Sequence, residues 1–146
     1  MSVDPAPKAI YEQVIAAVSN GDTATLDVLF AQNVVDHNPL PEQTAGLEGF
    51  KQWMLAARSS FPDLTGTVEA VVSEGDLVAG RVTWRGTQRG WLLGLAPTNR
   101  VIAFAAFHFV KLASGLIVEW HGTADLLGAV EQAGGQVGPR RAEPPS

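Results

Sequence analysis

The spacing of apolar residues changes once along this chain, and that change constrains the fold more than any other feature. As far as Ser60 the apolar residues recur every three or four positions, as on the buried face of a helix; from Thr65 onward they alternate with a period of two, as in strands. The first pattern predicts helices over 7–20, about 23–30 and 46–60; the second predicts strands over 66–73, 77–86, 100–112 and 115–123, and then a short helix over 126–132. Helices followed by an antiparallel meander indicate an α+β fold.

Length and composition fit one domain with its own hydrophobic core. Of the 146 residues, 46% are hydrophobic and 17% are charged, so burial of apolar surface is sufficient to support folding. We expect a single domain over 7–133. The segment 134–146 is polar and rich in proline and glycine, and we expect it to be a disordered tail.

Composition also excludes several classes of function. The chain has no cysteine, which excludes disulfides, thiolate nucleophiles and cysteine-ligated zinc. Its net charge of −5, without a basic cluster, argues against a nucleic-acid partner. The N-terminus lacks the pattern of a signal peptide, and no apolar run approaches the ~20 residues that span a bilayer. We therefore expect a soluble, cytoplasmic protein without a membrane partner.

The predicted strand over 100–112 carries one polar side chain on an otherwise apolar face. His108 alternates there with Phe104, Ala106 and Val110, and the opposite face of the strand is apolar too. One interpretation is a core histidine that is satisfied by a single hydrogen bond. The other is a polar group placed in a hydrophobic small-molecule pocket.

The last predicted strand places His121 and Asp125 in the same phase. Asp125 directly precedes the last helix, so it suits an N-cap, and a carboxylate beside a histidine under an apolar cover also suits a general acid or base. The two roles are compatible. We expect His108 and Asp125 to line one cavity with His121 within reach of it, unless a bulge at Gly122 reverses the phase.

The remaining polar motifs are weaker signals. The segment 33–43 contains two prolines and is expected to be irregular; it holds His37 and Asn38. The three histidines of the chain show no compact ligand spacing, so we expect no metal. No phosphate-binding loop or dinucleotide fingerprint is present. Arg81 is interpreted as an exposed arginine on a face of the sheet.

Several blocks of sequence, in this order, resemble the SnoaL-like polyketide cyclases of the nuclear-transport-factor-2-like (NTF2-like) superfamily. They are VVDHNP, GLEGFKQWM, VSEGDLVAGRVTWRGTQRG and HFVKLASGLIVEWHGTADLLG, and the resemblance extends over about 10–132. It implies a cone-shaped α+β barrel whose N-terminal helices pack in a strongly curved antiparallel sheet around an apolar cavity. It also implies an intramolecular aldol condensation of a polyketide ester by a carboxylate acid/base, with neither metal nor cofactor.

The resemblance assigns roles to particular residues. Asp125 matches the catalytic carboxylate, His108 the polar pocket residue of the preceding strand, and His37 and Asn38 the pocket residues of the early segment. Gln88 stands where the family has a histidine before a rim loop, so it is expected to donate a hydrogen bond to substrate without titrating. His121 stands where a large pocket aromatic is expected.

Three functions follow. The first is a cofactor-independent lyase or isomerase of the polyketide-cyclase type, which uses Asp125 and His108 on a small apolar carbonyl compound. The second is an epoxide hydrolase or hydratase in the same cone, with Arg81 and Asp125 as its only candidates. The third is a non-catalytic small-molecule-binding module that holds its ligand through His108 and Trp53. A homodimer through an exposed face of the sheet is expected by analogy with other cones of this kind.

Overall fold

Helices and strands follow one another in the order that the change of period predicts. The computed structural model describes residues 6–136 and 138. Its elements are α1 (Pro7–Asn20), α2 (Thr23–Leu29), β1 (Phe30–Asp36), α3 (Gly46–Ser60), β2 (Thr65–Glu74), β3 (Leu77–Thr87), β4 (Val101–Ala113), β5 (Leu116–Ala124) and α4 (Leu126–Gln132). The α+β class is confirmed. The segment 134–146, predicted to be a disordered tail, lies mostly outside the described residues.

The five strands form one sheet in the order β1-β5-β4-β3-β2. Strands β2 to β5 make the expected antiparallel meander, whereas β1 pairs in parallel with β5, with Asp36 opposite Trp120. The sequence-based prediction was wrong for 30–36, because Phe30 was placed in a helix and 33–36 was expected to be irregular, whereas 37–43 contains no helix or strand. The prolines that motivated it follow the strand rather than interrupt it, since β1 ends before Pro39.

Helices α1 and α3 cover one face of the sheet, which we call the core face. Along β4, Ile102, Ala106, His108 and Val110 are buried on this face and alternate with more exposed residues. Helix α1 approaches β3 so closely that a Cβ at Gly80 would collide with the Tyr11 ring. Glycine is therefore required at this position, and Tyr11 is held directly against the strand that pairs with His108.

A β-bulge in β5 reverses the phase of that strand. Leu112 pairs with Ile117 but Lys111 pairs with Glu119, so Val118 is an extra residue. As a result Ile117 and Trp120 are both buried on the core face, and His121 is exposed on the other face. The bulge lies before Gly122 rather than at it, and it turns His121 away from the face expected for it.

The helices of the described residues are all too short or too polar to cross a membrane.

Candidate functional site

A tyrosine and a histidine form a buried hydrogen-bonded pair between α1 and β4. The Tyr11 hydroxyl lies 2.7 Å from His108 Nδ1, and the two side chains are 1% and 7% exposed. Gly80 and Gly122 pair with His108 from the neighbouring strands, so no side chain flanks the imidazole there. The pair shows that His108 has the hydrogen-bond partner that a core histidine requires.

Burial fixes the protonation of both groups. It lowers the pKa of His108 to about 4 and raises the pKa of Tyr11 above its ordinary value of 10.0, so both side chains are neutral at pH 7. Within the described residues the Tyr11 hydroxyl has no acceptor other than His108 Nδ1. A buried hydroxyl that does not donate a hydrogen bond costs free energy of folding. Tyr11 therefore donates to His108 Nδ1, and the neutral imidazole carries its proton on Nε2.

A second N–H group borders the same space as His108 Nε2. The centroids of the Trp120 and His108 rings lie 4.9 Å apart. Both nitrogens lie close to Gly122, since a Cβ built on this glycine would be 3.1 Å from Trp120 Nε1 and 3.6 Å from His108 Nε2. Neither nitrogen has a hydrogen-bond partner in the described part of the chain. Every fully enclosed side-chain nitrogen of the described residues does have such a partner, so these two nitrogens are not fully enclosed. Both N–H groups therefore retain access to water or a ligand. We call these two N–H groups, which lie beside Gly122, the donor site.

The donor site is surrounded by aromatic rings. Trp120 contacts Phe50 at 5.1 Å and Phe30 at 5.8 Å between ring centroids, and Tyr11 stacks on its other side at 6.2 Å. Two neutral N–H donors in apolar surroundings suit an oxygen atom that carries negative charge, because little water competes for them.

Asp125 does not join the donor site. Its side chain is exposed, and its Oδ1 accepts a hydrogen bond of 2.9 Å from the Gly128 N–H, which caps α4. The backbone N–H of Asp125 donates to the carbonyl of Ala105. Ala105 precedes His108 by three residues on β4, which corresponds to ~10 Å along the strand. The expectation that His108 and Asp125 share one cavity was wrong, because the chain turns into α4 at this residue and the bulge has already reversed the phase.

His121, His37 and Asn38 lie away from the core face. The rings of His37 and His121 stack in parallel at 3.9 Å between centroids. Asn38 Oδ1 accepts from the Gly122 N–H at 3.0 Å and so continues the pairing of β5 beyond the end of β1. The expectation that His121 reaches the cavity of His108 was wrong, because the bulge turns its side chain to the opposite face.

Gln88 is fully buried, and its amide group organises the rim loop (88–100). Its Nε2 donates to the carbonyls of Gly90, Leu95 and Ala96 at 3.2–3.3 Å, and its Oε1 accepts from the Thr98 hydroxyl at 2.7 Å. The expectation that Gln88 donates to substrate was wrong, because its hydrogen-bonding capacity is used within the loop. Trp53 is half-buried on α3 and packs on the Phe50 ring at 5.3 Å.

Replacing Gln88 by alanine should therefore destabilise the protein. We expect the free energy of unfolding to fall by about 2 kcal/mol, because three partly buried carbonyls and one hydroxyl lose their partner. Urea unfolding followed by circular dichroism measures this. Gln32→Ala, at an exposed position of β1, is the matched control and should change stability little. An equal loss of unfolding free energy in the two variants would contradict the role of Gln88.

Sequence reasoning missed Tyr11, Trp120 and Gly122. Tyr11 shares the buried stripe of α1 with Val14, Ile15 and Val18 at positions i+3, i+4 and i+7. A hydroxyl on such a stripe requires a buried partner, and His108 was the polar residue already identified on an apolar face. That pairing was therefore available from the sequence, whereas Trp120 was hidden by the bulge.

A shallow trough of about 640 Å³ lies on the face of the sheet opposite the helices, which we call the outer face. Phe107 and Phe109 line it and are 54% and 48% exposed, beside Arg81, His121 and Thr123. His108 also lines the trough, although its ring packs against Tyr11. This is the apolar surface that the homodimer expected from sequence would use, and that dimer stays a prediction.

Comparisons with known proteins agree on one family. The model of the SnoaL-like polyketide cyclase family matches residues 8–133. TsrD from Streptomyces laurentii is 28% identical with a TM-score of 0.83, over 92% of this chain and 100% of TsrD. IdmH from Streptomyces antibioticus, described as a candidate polyketide cyclase, is 30% identical with a TM-score of 0.80, over 89% of this chain and 99% of IdmH.

A third structure supports the fold alone. AclR from Streptomyces galilaeus, described as a candidate hydroxylase, is 21% identical with a TM-score of 0.78, over 90% of this chain and 87% of AclR. No curated protein matches the chain. The likeness to these structures confirms the expected NTF2-like architecture, a curved sheet with helices on one face. With its family model covering the chain from α1 to the end of α4, the protein belongs to the SnoaL-like polyketide cyclase family.

Proposed function

We propose that this protein catalyses proton transfer next to a carbonyl group, the step that forms an enolate in aldol cyclisation. Membership of the SnoaL-like polyketide cyclase family supports the reaction class. The observation that carries the proposal is the donor site, where the neutral N–H groups of His108 and Trp120 border the same space. The proposed substrate is a small apolar carbonyl compound, such as an acyclic polyketide ester, in keeping with the aromatic rings that pack around Trp120.

The donor site would act on the oxygen of the substrate. Removal of a proton from the carbon beside a carbonyl leaves an enolate whose negative charge resides on oxygen, and two preorganised N–H groups stabilise that charge more than the neutral ketone. A neutral imidazole suits this task because it donates a hydrogen bond without titrating near neutral pH. Tyr11 acts as a positioning residue, since its hydrogen bond keeps the donating proton of His108 on Nε2.

The proton that leaves the carbon would pass to water. The buried polar residues of the described chain are Gln88 and His108, so no buried carboxylate is available there as a base. Asp125, which the family resemblance assigns as the acid/base, is exposed and caps a helix. We therefore propose catalysis mainly by stabilisation of the oxyanion, with Asp125 in a structural role.

The same observation favours a second function. A site with two donors and no buried base also suits a module that binds an apolar carbonyl or phenol without turning it over. The epoxide-hydrolase alternative has less support, because Arg81 is exposed and lines the trough on the outer face, while Asp125 is exposed at the start of α4.

Two variants separate these functions. On an acyclic 1,3-dicarbonyl ester that can close an aldol ring, with the cyclised product followed by mass spectrometry, we expect turnover by the parent protein. His108→Gln should lower kcat by at least about tenfold, because the amide cannot reproduce the geometry of the imidazole donor. Asp125→Asn should keep kcat within about twofold, because asparagine caps a helix as well as aspartate.

The opposite pattern would contradict the proposed site. A loss of activity in Asp125→Asn together with full activity in His108→Gln would return the catalytic role to the carboxylate. Binding of 4-nitrophenolate, an enolate mimic, that depends on His108 but occurs without turnover of the ester would identify a binding module.

A further inference from the structure

Three potential metal ligands meet on the outer face of the sheet, although they are far apart in sequence. Glu119 and His121 are two residues apart on β5, so both side chains project to the same face. The His37 N–H donates to the Trp120 carbonyl, which extends the parallel pairing of β1 and β5 and places His37 beside them. His37 Nε2 lies 3.1 Å from Glu119 Oε1, and the ligand atoms of the three residues lie within 4.8 Å of one another.

We propose that His37, Glu119 and His121 bind a divalent transition-metal ion of the zinc type. Two imidazoles and a carboxylate are borderline donors that suit Zn²⁺, Ni²⁺ or Cu²⁺ and not Mg²⁺ or Ca²⁺. Ligand atoms around a tetrahedral zinc ion, with bonds of about 2 Å, lie roughly 3.3 Å apart. The separation of 3.1 Å between His37 and Glu119 is already close to this value.

The histidine rings must move slightly to complete the site. They lie parallel, with an interplanar angle of 2°, so an ion in the plane of one ring is not in the plane of the other. Both side chains are exposed, and rotation of one imidazole out of the stack is therefore inexpensive. Three protein ligands leave at least one position of the ion open to solvent, as in zinc sites that bind a water or a small ligand.

Among the described residues, Lys111 competes for the carboxylate and no further imidazole lies beside it. Lys111 Nζ lies 4.0 Å from Glu119 Oε2 and partly neutralises the carboxylate. Both side chains of that pair are exposed, and such pairs contribute little to stability, so an ion can displace the lysine at low cost. His108, the remaining histidine of the chain, is buried on the core face with Tyr11 and is not accessible to the ion.

This site is independent of the proposed enzymatic function, because the sheet separates it from the donor site. His121 also lines the trough on the outer face, so a bound ion would sit at the rim of that trough with its open position towards solvent.

Zinc titration of the full chain tests the proposal. Untagged protein, first treated with a chelator, is titrated with ZnCl₂ by isothermal calorimetry, and we expect one ion per chain. His37→Ala and His121→Ala should each weaken binding by at least about tenfold, since even residues outside the ligand shell commonly contribute that much. Lys111→Gln should tighten binding, because it removes the competing charge.

Glu119→Gln should weaken zinc binding in the same way, whereas its matched control Glu74→Gln, at the exposed end of β2, should leave the affinity unchanged. A spectroscopic readout is the visible absorption of a bound Co²⁺ ion, which should disappear in His121→Ala. Absence of saturable zinc binding, or zinc binding by both histidine variants that is as tight as that of the parent protein, would overturn the proposal.

Discussion

Replacing Trp120 by phenylalanine should lower kcat for the proposed cyclisation by about 10²-fold, the usual cost of removing one donor from an oxyanion site. Phenylalanine retains an aromatic ring between Phe30, Phe50 and Tyr11 but has no N–H group to place at the donor site. The lost interaction is made with the enolate oxygen more than with the ground-state ketone, so KM should change little. Steady-state kinetics on the 1,3-dicarbonyl ester measure both constants.

Trp91→Phe is the matched control. Trp91 lies on the rim loop and is 66% exposed, so losing its indole N–H should not alter kcat. Circular dichroism and thermal unfolding of Trp120→Phe verify that the core still folds around the smaller ring. A Trp120→Phe protein that keeps the parent kcat would show that this N–H group does not contact the reacting oxygen, and the proposed role of the donor site would fail with it.

Those parts of the fold that local spacing determines were predictable. Helices α1, α3 and α4 have the predicted bounds, and β2 to β5 differ from their predicted ranges by at most one residue at either end. Each of these elements carries its own periodic pattern and is bounded by a turn or a cap, so no knowledge of its distant neighbours was needed. The Asp125 cap, with its bond to the Gly128 N–H, is an interaction of the same local kind.

The parts that depend on pairing between distant segments were not predictable in this way. Nothing in the sequence around β5 marks Val118 as an extra residue, because the bulge exists only relative to β4. That single residue decides that Trp120 faces the core and His121 the outer face. His37 and Glu119 are 82 residues apart, so their contact arises from the parallel pairing of β1 and β5, and a search for compact ligand spacing does not detect it.

The free energy of unfolding should fall as the pH is lowered from 6.5 towards 4, by roughly 3 kcal/mol from His108 alone. Burial lowers the pKa of His108 from 6.5 to about 4, and no charged partner offsets this effect. Between these two values the unfolded chain binds a proton that the folded chain does not, so acid favours unfolding. Above pH 6.5 the imidazole is neutral in both states and contributes no pH dependence.

Urea unfolding at several pH values between 4 and 7, with His108→Gln measured alongside, isolates this contribution. Glutamine accepts the Tyr11 hydrogen bond through its amide oxygen but does not titrate, so the variant should lose less stability on acidification than the parent protein. His37 and His121 are present in both proteins, and the difference between the two curves therefore reports His108. Parallel curves for parent and variant would contradict the neutral, buried imidazole on which the donor site depends. A difference that opens below pH 6.5 and grows towards pH 4 would establish that burial holds His108 neutral, as its role as an uncharged donor requires.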